Sequence, residues 1–188
     1  MEVLLSSTAI VAVAEIGDKS QLLSLFLASR FRNPPLIIAG ILVATLFNHT
    51  VSAWLGVWLL KLIPPHLAPW IISGSFLLIA LWLLIPDRHE GESSRFDRYG
   101  VFAAATILFF LVEIGDKTQI ATVVLAAKYN DTLWVILGTT LGMLLANIPV
   151  VYSGRWLMDR IPLRYARWSA FALFALMAAA TITAQSIK

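Results

Sequence analysis

One short polar sequence occurs twice in this chain, and its setting limits what the chain can become. Glu15-Ile16-Gly17-Asp18-Lys19-Ser20-Gln21 returns as Glu113-Ile114-Gly115-Asp116-Lys117-Thr118-Gln119, a gapless offset of 98. The same offset pairs Gly40 with Gly138, Gly56 with Gly154, Trp58 with Trp156, Pro64 with Pro162 and Trp70 with Trp168. Two apolar stretches can match through composition alone. A constant offset through several of them marks an internal duplication.

The surroundings of both copies are apolar. Of 188 residues 59% are hydrophobic and only 13% are charged, against about 25% charged in an ordinary soluble domain. Such a chain cannot cover itself with charge, so its solvent is lipid. A net charge of +3 without a basic run argues against nucleic-acid binding. With no Cys and three scattered His (His49, His66, His89), disulfides, thiolate chemistry and a zinc cage are excluded.

A membrane-crossing helix needs roughly 20 mostly apolar residues. Six segments qualify, at about 3–27, 35–60, 67–86, 99–126, 132–157 and 162–186. Prolines (Pro34, Pro35, Pro64, Pro65, Pro69, Pro86, Pro162) stand near their ends, where a missing N–H costs least. Most of the seven Trp also lie toward span ends, as an interfacial belt requires. The expected fold is an all-α integral membrane protein of six transmembrane helices. Residues 1–86 form one three-helix repeat, 87–98 a solvated loop and 99–188 the second repeat. Three is odd, so the second repeat enters the membrane from the opposite side, giving an inverted pair whose site lies where the halves meet.

Loop charges set the orientation. Arg30, Arg32, Arg88, Arg95, Arg98, Arg155, Arg160, Arg164 and Arg167 fall on one side; Lys61, Lys128 and Lys188 fall on the other. The positive-inside rule places the Arg-rich side in the cytoplasm and both termini outside it, with a bacterial inner membrane as the simplest location. Ala12-Val13-Ala14 has the look of a cleavage site, but the chain opens Met1-Glu2 without a basic leader. An uncleaved first helix is expected.

Each heptapeptide puts two carboxylates and one ammonium into lipid. At roughly 2.5–3.5 kcal/mol per charge near a helix centre, the six together would cost about 15–20 kcal/mol unpaired. That exceeds the ~5–15 kcal/mol by which proteins are stable. The charges must pair, meet water or bind an ion. On a continuous helix Glu15, Asp18 and Lys19 share one face, with Glu15 four residues before Lys19 in the favourable order. Gly17 and Gly115 would permit a local break, and Ser20, Gln21, Thr118 and Gln119 add neutral oxygen. If both copies face each other, four carboxylates converge against two ammonium groups. Oxygen donors without His or Cys suit Ca²⁺, Mn²⁺ or Mg²⁺. Crowded carboxylates also bind protons, so proton and metal compete for one site. In this reading Glu15, Asp18, Glu113 and Asp116 are the metal ligands and no cofactor is needed. Asn48, His49 and Asn147 lie within spans and the offset equates His49 with Asn147; they either line the cavity or bond helices together. Gly40, Gly56, Gly138, Gly142 and Gly154 are read as close-packing positions, and Pro149 as a kink.

The duplicated Glu-x-Gly-Asp-Lys-(Ser/Thr) motif resembles the signature of the GDT family of Mn²⁺/Ca²⁺ membrane transporters, which includes bacterial manganese exporters of the MneA type. The resemblance covers essentially the whole chain. It implies export of Mn²⁺, with Ca²⁺ as a second substrate, in exchange for protons. It also implies cation binding at Glu15, Asp18, Glu113 and Asp116, with Lys19 and Lys117 in the basic position. Partners are then a divalent ion, protons and the bilayer; self-association is left open.

Two other readings compete. An exporter of another cationic solute, such as a basic amino acid, could use the same carboxylates for an ammonium group. An intramembrane aspartyl protease uses two Asp, one in Gly-x-Gly-Asp. Here Glu15 and Glu113 replace the first Gly, and Lys follows each Asp. Such a dyad works by sharing a proton, which an adjacent ammonium disfavours.

Overall fold

A computed structural model describes residues 1–85, 100–154 and 163–186. The expected loop 87–98 and Trp156 lie outside the described residues. Among them there are eight α-helices and no strand. They are α1 (Glu2–Ala14), α2 (Lys19–Phe31), α3 (Pro34–Leu62), α4 (Ala68–Leu83), α5 (Val101–Glu113), α6 (Lys117–Tyr129), α7 (Thr132–Ser153) and α8 (Leu163–Ser186). The order short, short, long, long occurs twice.

The local signals repeat at the same offset. Asn33 caps α3 by accepting from Leu36 N–H, and Asp131 caps α7 by accepting from Trp134 N–H. Pro34 and Pro35 open α3 where no N–H is required. Arg32 and Asn130 end α2 and α6 in the left-handed conformation, at φ 50° and 49°, returning their N–H to Ala28 and Ala126 carbonyls.

Two continuous spans were expected at 3–27 and 99–126. Each is broken in two by its heptapeptide. α1, α2, α5 and α6 are each 13 residues, a rise of about 20 Å against a hydrocarbon core of about 30 Å. By length and composition α3, α7 and the stretch Arg167–Ala184 of α8 can cross a membrane singly, while α1, α4 and α5 are shorter apolar helices. Pro149 lies inside α7.

The surface is inverted relative to a soluble protein. Phe47, Trp54, Trp70, Leu78, Leu145 and Leu176 are exposed, whereas Ser7, Glu15, Asp18, Asn48, His49, Glu113, Asp116 and Asn147 are buried. Lipid accounts for both halves of that pattern.

The halves interlock through their glycines. α3 packs on α5, and α7 packs on α1. A Cβ on Gly40 would lie 2.6 Å from Ala105 Cβ and 2.9 Å from Phe102 O. A Cβ on Gly138 would lie 2.8 Å from Ser7 Cβ and 2.7 Å from Leu4 O. Leu4 and Ser7 precede Phe102 and Ala105 by the repeat offset of 98, so the two contacts are equivalents. A Cβ on Gly154 would lie an ordinary 3.9 Å from Leu25 Cδ1 on α2, so Gly154 is not a close-packing position, whereas its equivalent Gly56 abuts the Val123 backbone on α6. Small residues are what permit this closeness.

Candidate metal centre at the two helix breaks

Both heptapeptides fold the same way. The helix ends at or next to the Glu, and the N–H of the Asp turns back to the Glu carbonyl, at 3.1 Å for Asp18–Glu15 and for Asp116–Glu113. Gly17 and Gly115 take φ 81° and 74°, which a side chain at Cβ disfavours. Their N–H groups donate to Gln21 Oε1 at 2.8 Å and to Gln119 Oε1 at 2.6 Å. The Asp then caps the next helix, Asp18 Oδ1 accepting from Lys19 N–H and Asp116 Oδ1 from Lys117 N–H. Each break therefore presents a carboxylate at the positive N-terminal end of a helix buried in the protein.

The expected pairing of Glu15 with Lys19 along one helical face is corrected by this geometry. Residues 15–18 are not helical, so the i, i+4 relation does not apply. Lys19 Nζ instead reaches Asp116 Oδ1 in the other half, at 3.7 Å. Lys117 Nζ donates to the Ile85 carbonyl beyond α4, at 3.1 Å.

Glu15, Asp18 and Asp116 offer carboxylate oxygens that all lie within 4.8 Å of one another. None of the three is more than 3% exposed. Three buried carboxylates beside the Lys19 ammonium form a site that favours further positive charge. All its donors are oxygens, which suits a hard divalent cation.

Glu113 stands apart from that trio, although within electrostatic reach of Glu15 and Asp116. It accepts from Thr45 Oγ1 at 3.3 Å and from Asn48 Nδ2 at 3.4 Å, both on α3. Its twin Glu15 accepts from Ser20 Oγ within its own heptapeptide. The expected convergence of four equivalent carboxylates is thus three together and one held by α3. Thr118 Oγ1, the twin of Ser20 Oγ, is buried without a hydrogen-bond partner among the described residues.

The supporting residues divide. Gln21 Nε2 donates to Ala146 O at 2.9 Å, tying the first break to α7. Asn147 Oδ1 accepts from Ser24 Oγ at 2.7 Å, and its Nδ2 donates to Met143 O at 3.0 Å, so Asn147 bonds helices together. Asn48 reaches the site through Glu113. His49 is buried beside it on α3. Thr45 and Ser24 were missed in the sequence. Thr45 lies three residues before Asn48 and so on the same face of α3, which is the signal that would have found it.

Comparison with known proteins identifies the family. The profile of the family described as "Divalent cation/proton antiporter GDT1" matches residues 3–91 and 101–187, one stretch in each half. A Vibrio cholerae protein named "Putative manganese exporter" is 56% identical over 182 residues, covering 96% of this chain and 90% of that protein. "GDT1-like protein 3" of Oryza sativa is 26% identical over 87% of this chain and 67% of its own length. A GDT1-like protein of Synechocystis is 24% identical, covering 81% of this chain and 82% of that protein. No solved structure matches. The chain belongs to the GDT1 family of divalent cation/proton antiporters.

Proposed function

We propose that this protein exports Mn²⁺ from the cytoplasm in exchange for protons, with Ca²⁺ as a second substrate. The observation that carries the reading is the meeting of Glu15 and Asp18 with Asp116, buried, at two helix breaks from different halves. The donor set suits the ion, and the name of the Vibrio cholerae relative points to manganese.

In this reading α1–α2 and α5–α6 are each one interrupted crossing, which with α3, α4, α7 and α8 makes six. The repeats are inverted, the membrane is the bacterial inner membrane and both termini lie outside the cytoplasm. Interrupted helices at the joint of inverted repeats are a recurring way to expose backbone and carboxylate oxygens to an ion. The ion enters from the cytoplasm, the halves rock about the glycine contacts, and protons from the other side displace it. Glu15, Asp18 and Asp116 take the metal, Glu113 completes the charge, and Lys19 balances the empty site.

The test is manganese tolerance in a sensitive host, together with proteoliposome uptake of Mn²⁺, Ca²⁺, Mg²⁺ and lysine under a pH gradient. Glu15→Gln and Asp116→Asn should each abolish tolerance while the protein remains folded in the membrane. Wild-type tolerance in both variants would sink the assignment, and lysine uptake in place of Mn²⁺ would move the substrate to basic amino acids.

A further inference from the structure

The repeat makes position 49 conspicuous. Its twin Asn147 has both ends of its amide engaged, by Ser24 and by the Met143 carbonyl. His49 is 1% exposed, and neither ring nitrogen has a hydrogen-bond partner among the described residues. A buried polar group left unbonded costs about 1–3 kcal/mol. A smaller polar or apolar residue would avoid that cost.

The course of α3 shows what lies at its level. Gly40 abuts Phe102, Ala105 and Thr106; Asn48 bonds Phe110 O and Glu113; Gly56 abuts Val123. α3 therefore runs in parallel register with α5 and α6. Position 49 falls between the Glu113 and Val123 levels, one turn beyond Thr45, whose hydroxyl reaches Glu113, and outside the trio of Glu15, Asp18 and Asp116. Thr118 belongs to the same interval, and its hydroxyl is also buried without a partner among the described residues. Thr45, His49 and Ser52 form one buried stripe at helical spacing. The equivalent positions on α7 are Met143, Asn147 and Val150, so only the α3 side is polar throughout.

We propose that His49 gives the transported cation a nitrogen ligand at the second break, and that this ligand makes the protein prefer Mn²⁺ to Ca²⁺ and Mg²⁺. The assignment rests on the export reading above and adds to it the basis of ion choice. Ca²⁺ and Mg²⁺ take oxygen donors almost exclusively. Transition-metal ions accept imidazole. The heptapeptides supply oxygen only and cannot draw that distinction; one imidazole can.

Two measurements test it. In proteoliposomes, His49→Asn, which installs the residue found at the twin position, should retain Ca²⁺ transport and lower the preference for Mn²⁺ over Ca²⁺ by about tenfold or more. Unchanged preference, or parallel loss of both ions, would overturn the proposal. Independently of how that variant folds, electron spin echo spectroscopy of the Mn²⁺-loaded wild-type protein should show nitrogen coupling. The coupling should persist in the His66→Asn/His89→Asn double variant, which removes the other two histidines. Bound Mn²⁺ without nitrogen coupling, or coupling lost only in the double variant, would refute the role of His49 while leaving manganese export standing. A wild-type protein that binds no Mn²⁺ would overturn both.

Discussion

Lys19 Nζ sits 3.7 Å from Asp116 Oδ1, joining the first heptapeptide to the second across the meeting of the two halves. The Lys19 side chain is 33% exposed and the Asp116 side chain 3%. The ammonium therefore reaches inward from the exposed edge of the site toward a carboxylate that is buried.

Removing that ammonium takes away the ion pair to Asp116 and lowers the positive charge beside the clustered carboxylates Glu15, Asp18 and Asp116. Lys19→Met should lower the melting temperature of the detergent-solubilised protein, and adding Asp116→Asn should restore part of the loss. Because the Lys19 side chain is one-third exposed, the coupling between the two changes should be about 1 kcal/mol. Strictly additive effects in the double-mutant cycle would show that the pair is coincidental.

The second break separates backbone cost from crowding. Gly115 has φ 74°, yet nothing lies within 4 Å of a Cβ added there. Gly115→Ala should cost about 1–2 kcal/mol through its left-handed backbone alone, and Gly115→Asn less, since Asn visits that region more readily. Thermal unfolding of the two variants decides, and equal losses would point away from φ.

Crowding should dominate at the interlocking glycines. Gly40→Ala and Gly138→Ala drive a Cβ into the opposing helix, at 2.6 Å from Ala105 Cβ and 2.7 Å from Leu4 O. Each should destabilise by about 1–3 kcal/mol. Gly74→Ala in α4 meets nothing within 4 Å and should be neutral or stabilising by up to ~1 kcal/mol. Similar losses at all three sites, measured by thermal unfolding, would count against the close approach.

The two glutamines should not be equivalent. Gln21 is buried and bridges Gly17 N–H to the Ala146 carbonyl, while half-buried Gln119 shows only the Gly115 bond among the described residues. Gln21→Leu should cost about 1–3 kcal/mol by removing the acceptor of the part-buried Gly17 N–H and the tie to the Ala146 carbonyl, and should slow Mn²⁺ uptake. Gln119→Leu should be the milder change in both assays. The reverse order would mean that α7 does not brace the first break.

The duplicated heptapeptide was readable from one offset, and the helical class from the apolar segments around it. The pairing of the charged residues was not. Helical spacing predicts Glu15 with Lys19, but spacing rules hold only while the helix is continuous, and the Gly17 turn abolishes the relation. Nor does the offset separate Glu15 from Glu113. That difference comes from α3 carrying Thr45 and Asn48 where α7 carries Met143 and Ala146, and it acts only after the long helices cross to the opposite halves. The equivalence of His49 and Asn147 was visible; that one of them is fully bonded and the other is not required their neighbours in space.

The reciprocal packing of the halves also sets an order of events during synthesis. Asp116 leaves the ribosome 97 residues after Lys19, an interval of roughly 5–20 s at about 5–20 residues per second. Through that interval the first heptapeptide has been made, while the Asp116 partner of Lys19 and the glycine seat of α1 on α7 have not. The nascent first half is thus an incompletely packed segment awaiting its counterpart. Its buried polar groups gain their partners from the other half only once the second heptapeptide has been made.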